Sequence, residues 1–132
     1  MAARHTEESP VAPAVEEVEK DFAAAVDAAR TGDAEARRKR LALAKKVPQR
    51  LPVVVLAYAR NPDVVAEVLE RAKGICERCL KSAPFLRRKD KSPYLEVHHK
   101  KQLAEDGEDS VENTIALCPN CHRESHYGAG AA

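Results

Sequence analysis

Three short strings between residues 76 and 122 determine the architecture of this chain: CERC at 76–79, LEVHH at 95–99 and CPNCH at 118–122. All four cysteines of the chain lie in the first and last strings, as two Cys-x-x-Cys pairs. Two such pairs supply the four thiolates of a closed tetrahedral zinc site, with Zn–S distances near about 2.3 Å. We therefore predict a structural Zn²⁺ held by Cys76, Cys79, Cys118 and Cys121.

The surroundings of the cysteines favour metal binding over redox chemistry. There are two pairs, and neither lies in the βαβ pattern that accompanies a redox-active Cys-x-x-Cys. The N-terminus is acidic and polar, without a signal peptide or an apolar membrane span, so we expect a cytoplasmic protein with reduced thiols and no membrane association. A block as short as residues 75–132 has a thin apolar core, and a metal would stabilise it.

The rest of the chain divides by composition into four parts. Residues 1–13 predict a disordered tail, residues 14–61 a helical extension, residues 62–128 the folded zinc-bearing domain and residues 129–132 a flexible tail.

Helical signals dominate the first 74 residues. Apolar residues recur at helical spacing from Val15 to Ala29, and Asp33 can cap a second helix that reaches about Lys46. The apolar segment LPVVVLAYA at 51–59 is ambiguous between a buried helix and a strand. Asn61-Pro62-Asp63 is typical of the start of a third helix, which Gly74 would end.

The C-terminal block predicts a strand over 94–97, a polar loop, a second strand over 115–117 and a helix over 119–127. Four of the five histidines of the chain fall in this block. His122 and His126 are four residues apart on the predicted helix, so their rings share a face, while Cys121 lies about 100° away from His122. One helical turn can therefore direct a thiolate to zinc and an imidazole to a separate cleft.

Taken together, CERC, LEVHH, Asn113 and CPNCH resemble the HNH endonuclease family, and more closely its zinc-bearing, four-cysteine branch found in bacterial restriction and phage-type nucleases. The resemblance covers roughly residues 62–128. It implies a small zinc-stabilised ββα-metal, treble-clef-like domain of the α+β class, here preceded by the helical extension. Leu80 departs from the family pattern, which commonly has glycine after the first pair, and Lys100-Lys101 stand where relatives usually carry apolar residues.

The resemblance also implies an activity and roles for the histidines. The activity is metal-dependent hydrolysis of DNA phosphodiester bonds, by nicking or double-strand cleavage, with one catalytic Mg²⁺, Mn²⁺, Ni²⁺ or Zn²⁺. By position, His99 would be the general base, His98 and His122 metal ligands, His126 a further ligand and Asn113 the residue that orients the site. Strict strand alternation would send His98 and His99 to opposite faces, so we expect the chain to bend there.

Basic residues mark candidate contacts to DNA. The net charge is only +1, but basic residues cluster in the middle segment, in the loop after Cys79 and directly after the LEVHH string. Such clusters suit a phosphate backbone, although charge alone leaves a solvated helix face open as the alternative. The candidates are Arg37, Arg38, Lys39, Arg40, Arg87, Arg88, Lys89, Lys100 and Lys101.

The expected partner is double-stranded DNA, and a homodimer would suit double-strand cutting because one such site cleaves one strand. The alternative function is a non-catalytic zinc-knuckle module that binds nucleic acid. Such a module needs the cysteines but has no use for His98, His99, His122 and Asn113 together.

Overall fold

The computed structural model describes residues 11–130. They fall into two compact units, and the second unit begins at Tyr58. Of the two predicted tails, residues 1–10 and 131–132 lie outside the described part. No helix within residues 11–130 combines the length and apolarity needed to cross a membrane.

The first unit contains two helices, α1 (Val15–Thr31) and α2 (Ala34–Leu43). The side chain of Asp33 caps α2 by accepting hydrogen bonds from the amides of Glu35 (3.3 Å) and Ala36 (3.1 Å), as the sequence predicted. Helix α2 ends about one turn before the predicted Lys46. At its end the amide of Ala44 donates to the carbonyl of Leu41, three residues back, at 3.4 Å. Neither helix buries a side chain.

The apolar segment at 51–59 is neither a buried helix nor a regular strand. Its one bridge joins Val54 to Ala14, through bonds from the amide of Val54 to Pro13 and from the amide of Val15 to Val54. Val55 and Leu56 are exposed. Within residues 11–130 this bridge is the only strand-like pairing of the segment, so apolar composition alone did not produce an element here.

The second unit has the order α3 (Pro62–Ala72), β1 (Glu96–His99), a short 3-10 turn (Leu103–Glu105), β2 (Thr114–Leu117) and α4 (Pro119–Tyr127). The strands form a two-stranded antiparallel sheet in which His98 lies opposite Ile115 and His99 opposite Thr114. A four-cysteine cluster accompanies this two-stranded sheet and the helix that follows it. The predicted α+β class with a zinc ββα-metal domain is therefore confirmed.

Strand β1 begins two residues later than predicted and includes both histidines. The amide of Tyr94 is bonded to the carbonyl of Phe85 (2.9 Å), so this residue pairs with the preceding loop and not with β2. Local pattern could not distinguish these two pairing partners.

The core of the second unit is small and joins α3, the first cysteine pair and the sheet. Its buried members are Val68, Ala72, Cys76, Leu95, Ala116 and Leu117. An ion pair braces it at one side. Arg71 binds both carboxylate oxygens of Glu77, at 2.9 and 2.7 Å, and Glu77 also accepts the amide of the fully buried Ala116 (2.9 Å). The first cysteine pair is thereby fixed to the edge of β2.

Candidate active site

The four cysteines converge on one point. All are free thiols, and their Sγ atoms lie within 4.8 Å of one another. Sulfur ligands about 2.3 Å from a tetrahedral zinc lie within roughly 4 Å of each other, so the cluster has the dimensions of such a site. The second pair also begins α4, because Cys118 is its N-cap and its Sγ accepts the amide of Cys121 at 3.4 Å.

The first pair forms a tight turn around Cys76. The amide of Leu80 binds the carbonyl of Cys76 and the amide of Cys76 binds the carbonyl of Lys81, both at 2.9 Å. Closing this turn places Leu80 in the left-handed region, with φ at 62°. Glycine adopts this conformation without steric cost, whereas a leucine here is strained.

The protonation of the cluster suits a cation. Burial opposes ionisation of the Cys76 thiol, but hydrogen bonds from the amides of Cys118, Cys79 and Arg78 outweigh it and lower its pKa to about 6. Burial and the neighbouring sulfurs raise the pKa of Cys121 to about 12. Metal binding at thiols releases their protons, so a divalent cation bound here would be expected to ionise the sulfurs that hold it.

Three imidazoles form a second, separate cluster. The ligand atoms of His98 on β1 and of His122 and His126 on α4 lie within 4.8 Å of one another. The Nε2 atoms of His122 and His126 are 3.2 Å apart, within hydrogen-bond distance. Burial, and then the neighbouring histidines, lower the pKa of His98. The structure thus brings together the three residues that the sequence proposed as metal ligands, and three imidazoles arranged in this way could hold a metal ion.

A carboxylate that the sequence reasoning missed lies behind this cluster. The Nδ1 of His122 donates to Oε1 of Glu96 at 2.9 Å, and the hydroxyl of Tyr94 donates to Oε2 of Glu96 at 2.6 Å. The bonds from Tyr94 and from His122 lower the pKa of Glu96, and Glu96 raises the pKa of Tyr94. Glu96 is two residues before His98 and so shares its side of the strand, a signal that could have identified it.

His99 faces a second carboxylate that was also missed. Its Nε2 donates to Oδ1 of Asp109 at 2.9 Å, while Oδ2 of Asp109 accepts the amide of Asn61 at 2.6 Å. The bond from His99, followed by that from Asn61, lowers the pKa of Asp109. The side chain of His99 is only 11% exposed.

His98 and His99 line the same cleft despite being adjacent on a strand. The cleft has a volume of about 250 Å³ and is also lined by His122, His126 and Tyr58. The chain bends at Lys100 and Lys101, directly after the two histidines.

Asn113 braces the loop that follows this bend. Its Oδ1 accepts the amide of Lys101 (2.9 Å), and its Nδ2 donates to the carbonyls of Lys101 (2.9 Å) and Glu108 (2.6 Å). Asn113 is not among the residues that line the cleft. Its amide holds the loop that presents Asp109 to His99.

Of the nine predicted DNA-contacting residues, four have a side-chain hydrogen bond or ion pair within residues 11–130 and five have none. Arg37 donates to the carbonyl of Ala29 and Arg87 to that of Leu95, both at 2.8 Å, so these two guanidiniums stabilise the fold. Lys39 pairs with Glu35 at 3.8 Å, and Lys100 donates to the carbonyl of Glu112 at 3.2 Å. Five others are exposed and have no side-chain partner within residues 11–130: Arg38, Arg40, Arg88, Lys89 and Lys101.

Comparison with known proteins agrees with this geometry. Residues 76–128 match the family model of the HNH endonuclease. The Type IV methyl-directed restriction enzyme EcoKMcrA of Escherichia coli (strain K12) is 54% identical over 74 residues, which are 56% of this chain and 26% of that protein. The chain therefore spans about a quarter of the length of this curated relative.

A solved structure is similar over the same share of the chain. The Type IV phosphorothioation-dependent restriction endonuclease ScoMcrA is 40% identical, with a TM-score of 0.49, over 55% of this chain and 15% of that one.

Proposed function

We propose that the protein is a metal-dependent endonuclease that hydrolyses DNA phosphodiester bonds, because residues 76–128 match the family model of the HNH endonuclease. The observation that carries the proposal is the convergence of His98, His122 and His126 in one cleft with His99, apart from the four thiols. A zinc-knuckle module that only binds nucleic acid has no need of this second cluster.

Two ions have separate tasks in this proposal. Zn²⁺ bound by the four cysteines has no open position and serves the fold. A divalent cation bound by His98, His122 and His126 would supply a Lewis acid for the scissile phosphate and the departing 3′ oxygen. Glu96 accepts the Nδ1 proton of His122, which leaves the Nε2 lone pair directed into the cluster.

His99 is the proposed general base. Since its Nε2–H is donated to Asp109, the neutral ring retains a lone pair on Nδ1 that can accept a proton from water. The carboxylate of Asp109 also stabilises the imidazolium that results. Asn113 and the amide of Asn61 hold the backbone and carboxylate that position the base, so we assign them positioning roles.

We further propose that the nuclease unit includes residues before the expected boundary at residue 62. Tyr58 lines the histidine cleft, and the amide of Asn61 is bonded to Asp109. We therefore propose a nuclease unit from residue 58, with the preceding helices as an extension.

DNA is the proposed substrate, and restriction the proposed biological role, because EcoKMcrA, at 54% identity over the matched part, is a restriction enzyme. We further propose that duplex DNA is cut and that two copies act together for double-strand cleavage, since one site cleaves one strand.

The test is cleavage of plasmid DNA by the full chain with Mg²⁺, Mn²⁺ or Ni²⁺. Replacing His99 by Ala should lower the cleavage rate by about 10²- to 10⁴-fold, the usual contribution of a general base. Glu124→Gln is the matched control, because this exposed carboxylate on α4 contacts Arg78 and no histidine. A full rate in His99→Ala would remove that residue as base. A wild-type protein that binds plasmid DNA but does not cleave it with any of the three metals would support the zinc-knuckle module instead.

A further inference from the structure

A short hairpin carries two stacked aromatic rings beside the metal clusters. Residues 85–94 fold back on themselves through bonds from the amide of Tyr94 to Phe85 (2.9 Å) and from the amide of Arg87 to Ser92 (2.7 Å). The rings of Phe85 and Tyr94 are 4.6 Å apart between centroids and inclined by only 22°. The guanidinium of Arg87 lies over the Tyr94 ring at 4.7 Å from its centroid.

Tyr94 is the inner ring of this stack, and its two faces and its hydroxyl all have contacts. The near-parallel Phe85 ring covers one face of Tyr94, which leaves the other face to Arg87, and the Tyr94 hydroxyl is bonded to Glu96. Glu96 in turn binds His122 of the metal cluster. The stack is therefore rigidly supported and built on the same carboxylate that orients a proposed metal ligand.

The outer ring, by contrast, is open. Phe85 is 53% exposed and contributes to the wall of a cleft of about 350 Å³ that is also lined by Lys81, Ser82, Pro119 and Asn120. This volume is within the usual range of small-molecule pockets, about 300–1,000 Å³. One face of Phe85 is occupied by Tyr94, so the face that remains is available to a flat partner.

The charge around the ring identifies the chemistry of that partner. Lys81, Arg88 and Lys89 are exposed, and within residues 11–130 none of their side chains has a hydrogen-bond or ion-pair partner. An open aromatic face combined with unpaired cations is the combination that binds single-stranded nucleic acid, where the ring stacks on a base and the cations contact phosphates.

We propose that Phe85 is a stacking platform for an unpaired nucleobase of the DNA strand bound at the histidine cleft. The proposal rests on the nuclease function for its choice of DNA, and it adds a base-binding site that the metal clusters themselves do not provide. Phosphates beside the platform contact Lys81, Arg88 and Lys89, while the base lies against the open face of Phe85.

The experiment measures binding of two short labelled oligonucleotides to the full-length, zinc-loaded chain, without an added catalytic metal. One is oligothymidylate, and the other has the same phosphates with abasic sugars. Stacking contributes about 1–3 kcal/mol per base, so the wild-type protein should bind oligothymidylate at least about fivefold more tightly than the abasic strand. Phe85→Leu, which keeps an apolar side chain but has no ring, should reduce this ratio to near one, and Phe85→Tyr should preserve it.

Leu86→Ala is the matched control, because Leu86 is the adjacent exposed apolar residue (60%) and lines neither cleft beside Phe85. It should leave the ratio unchanged. A wild-type ratio near one, a ratio that survives Phe85→Leu, or an equal loss in Leu86→Ala would each overturn the platform. Failure of the nuclease function is seen separately, as absence of plasmid cleavage by the wild-type protein, and does not alter this ratio.

Discussion

Replacing Glu96 tests whether the metal cluster depends on the carboxylate behind it. Glu96 accepts the Nδ1 proton of His122 at 2.9 Å and the Tyr94 hydroxyl at 2.6 Å. Without it, the His122 ring loses both its preferred tautomer and its fixed orientation. We expect Glu96→Ala to weaken binding of a divalent cation at the histidine cluster.

The expected size follows from the geometry of this bond. A hydrogen bond to a charged group contributes about 1.5–3 kcal/mol. The side chains of His122 and Glu96 are 24% and 29% exposed, so solvent screening favours the lower part, about 1.5–2 kcal/mol. That corresponds to roughly 10- to 30-fold in Kd, within the range of about 10- to 100-fold typical of residues that support metal ligands. Glu96→Gln keeps an acceptor oxygen and should lose about three- to tenfold.

Calorimetric titration of Ni²⁺ into the zinc-loaded chain near neutral pH measures this loss. Nickel suits imidazole ligands, and zinc already occupies the thiolates. Glu124→Gln, a carboxylate on α4 that contacts Arg78, should leave the Kd unchanged. A Kd for Glu96→Ala within twofold of wild type, or an equal loss in the control, would refute the reasoning.

Four further predictions concern stability and DNA binding. Cys79→Ser should unfold the second unit, because metal binding there is folding free energy; a melting temperature unchanged by this substitution and by a chelator would contradict a structural ion. Leu80→Gly should be about 1 kcal/mol more stable to denaturant than Leu80→Ala, since only glycine relieves the φ of 62°; equal stabilities would argue against strain. Arg71 lowers the pKa of Glu77, so the stability from Glu77 is complete above its ordinary pKa of about 4.3 and is lost as pH falls through the lowered value. The free energy of unfolding of Glu77→Gln, measured in urea, should therefore vary less with pH in this acidic range than that of the wild type. The same pH dependence in both proteins would show that the Arg71–Glu77 pair does not contribute. Replacing Arg38, Lys39 and Arg40 with Ala should reduce the steepness of the plot of log affinity for DNA against log salt concentration by up to about 2.7. An unaltered slope would assign these residues to a solvated helix face.

The features that the sequence predicted are those with local chemical signals. Asn61-Pro62 and Cys118-Pro119 mark the starts of α3 and α4 within a few residues, and Gly128 follows the end of α4. The Cys-x-x-Cys spacing fixes its own geometry, and the four-residue spacing of His122 and His126 fixes theirs. These signals cover the cysteine cluster and the helical pair of histidines, whereas the role of His98 came from the resemblance to the HNH family.

The features that the sequence reasoning missed depend on contacts between distant residues. Asp109 meets His99 because Asn113 folds the intervening loop back onto Lys101, and no local pattern specifies that closure. The apolar segment at 51–59 illustrates the opposite error. Its composition predicted burial, but Leu56 is 88% exposed, since hydrophobicity decides burial only where another apolar surface lies within reach.

The two metal clusters are separate in chemistry but not in construction. Cys118 caps α4 through its sulfur, and its carbonyl accepts the amide of His122 at 2.9 Å. From the first cysteine pair, Arg78 donates to the carbonyl of Cys121 at 3.2 Å. The direction of α4, and therefore of the imidazoles on its other face, is set by the thiolate site. A fold this small has too little apolar core to fix a helix to the accuracy that metal ligation needs, so a metal bound by the four thiols would also help to hold the imidazoles in position.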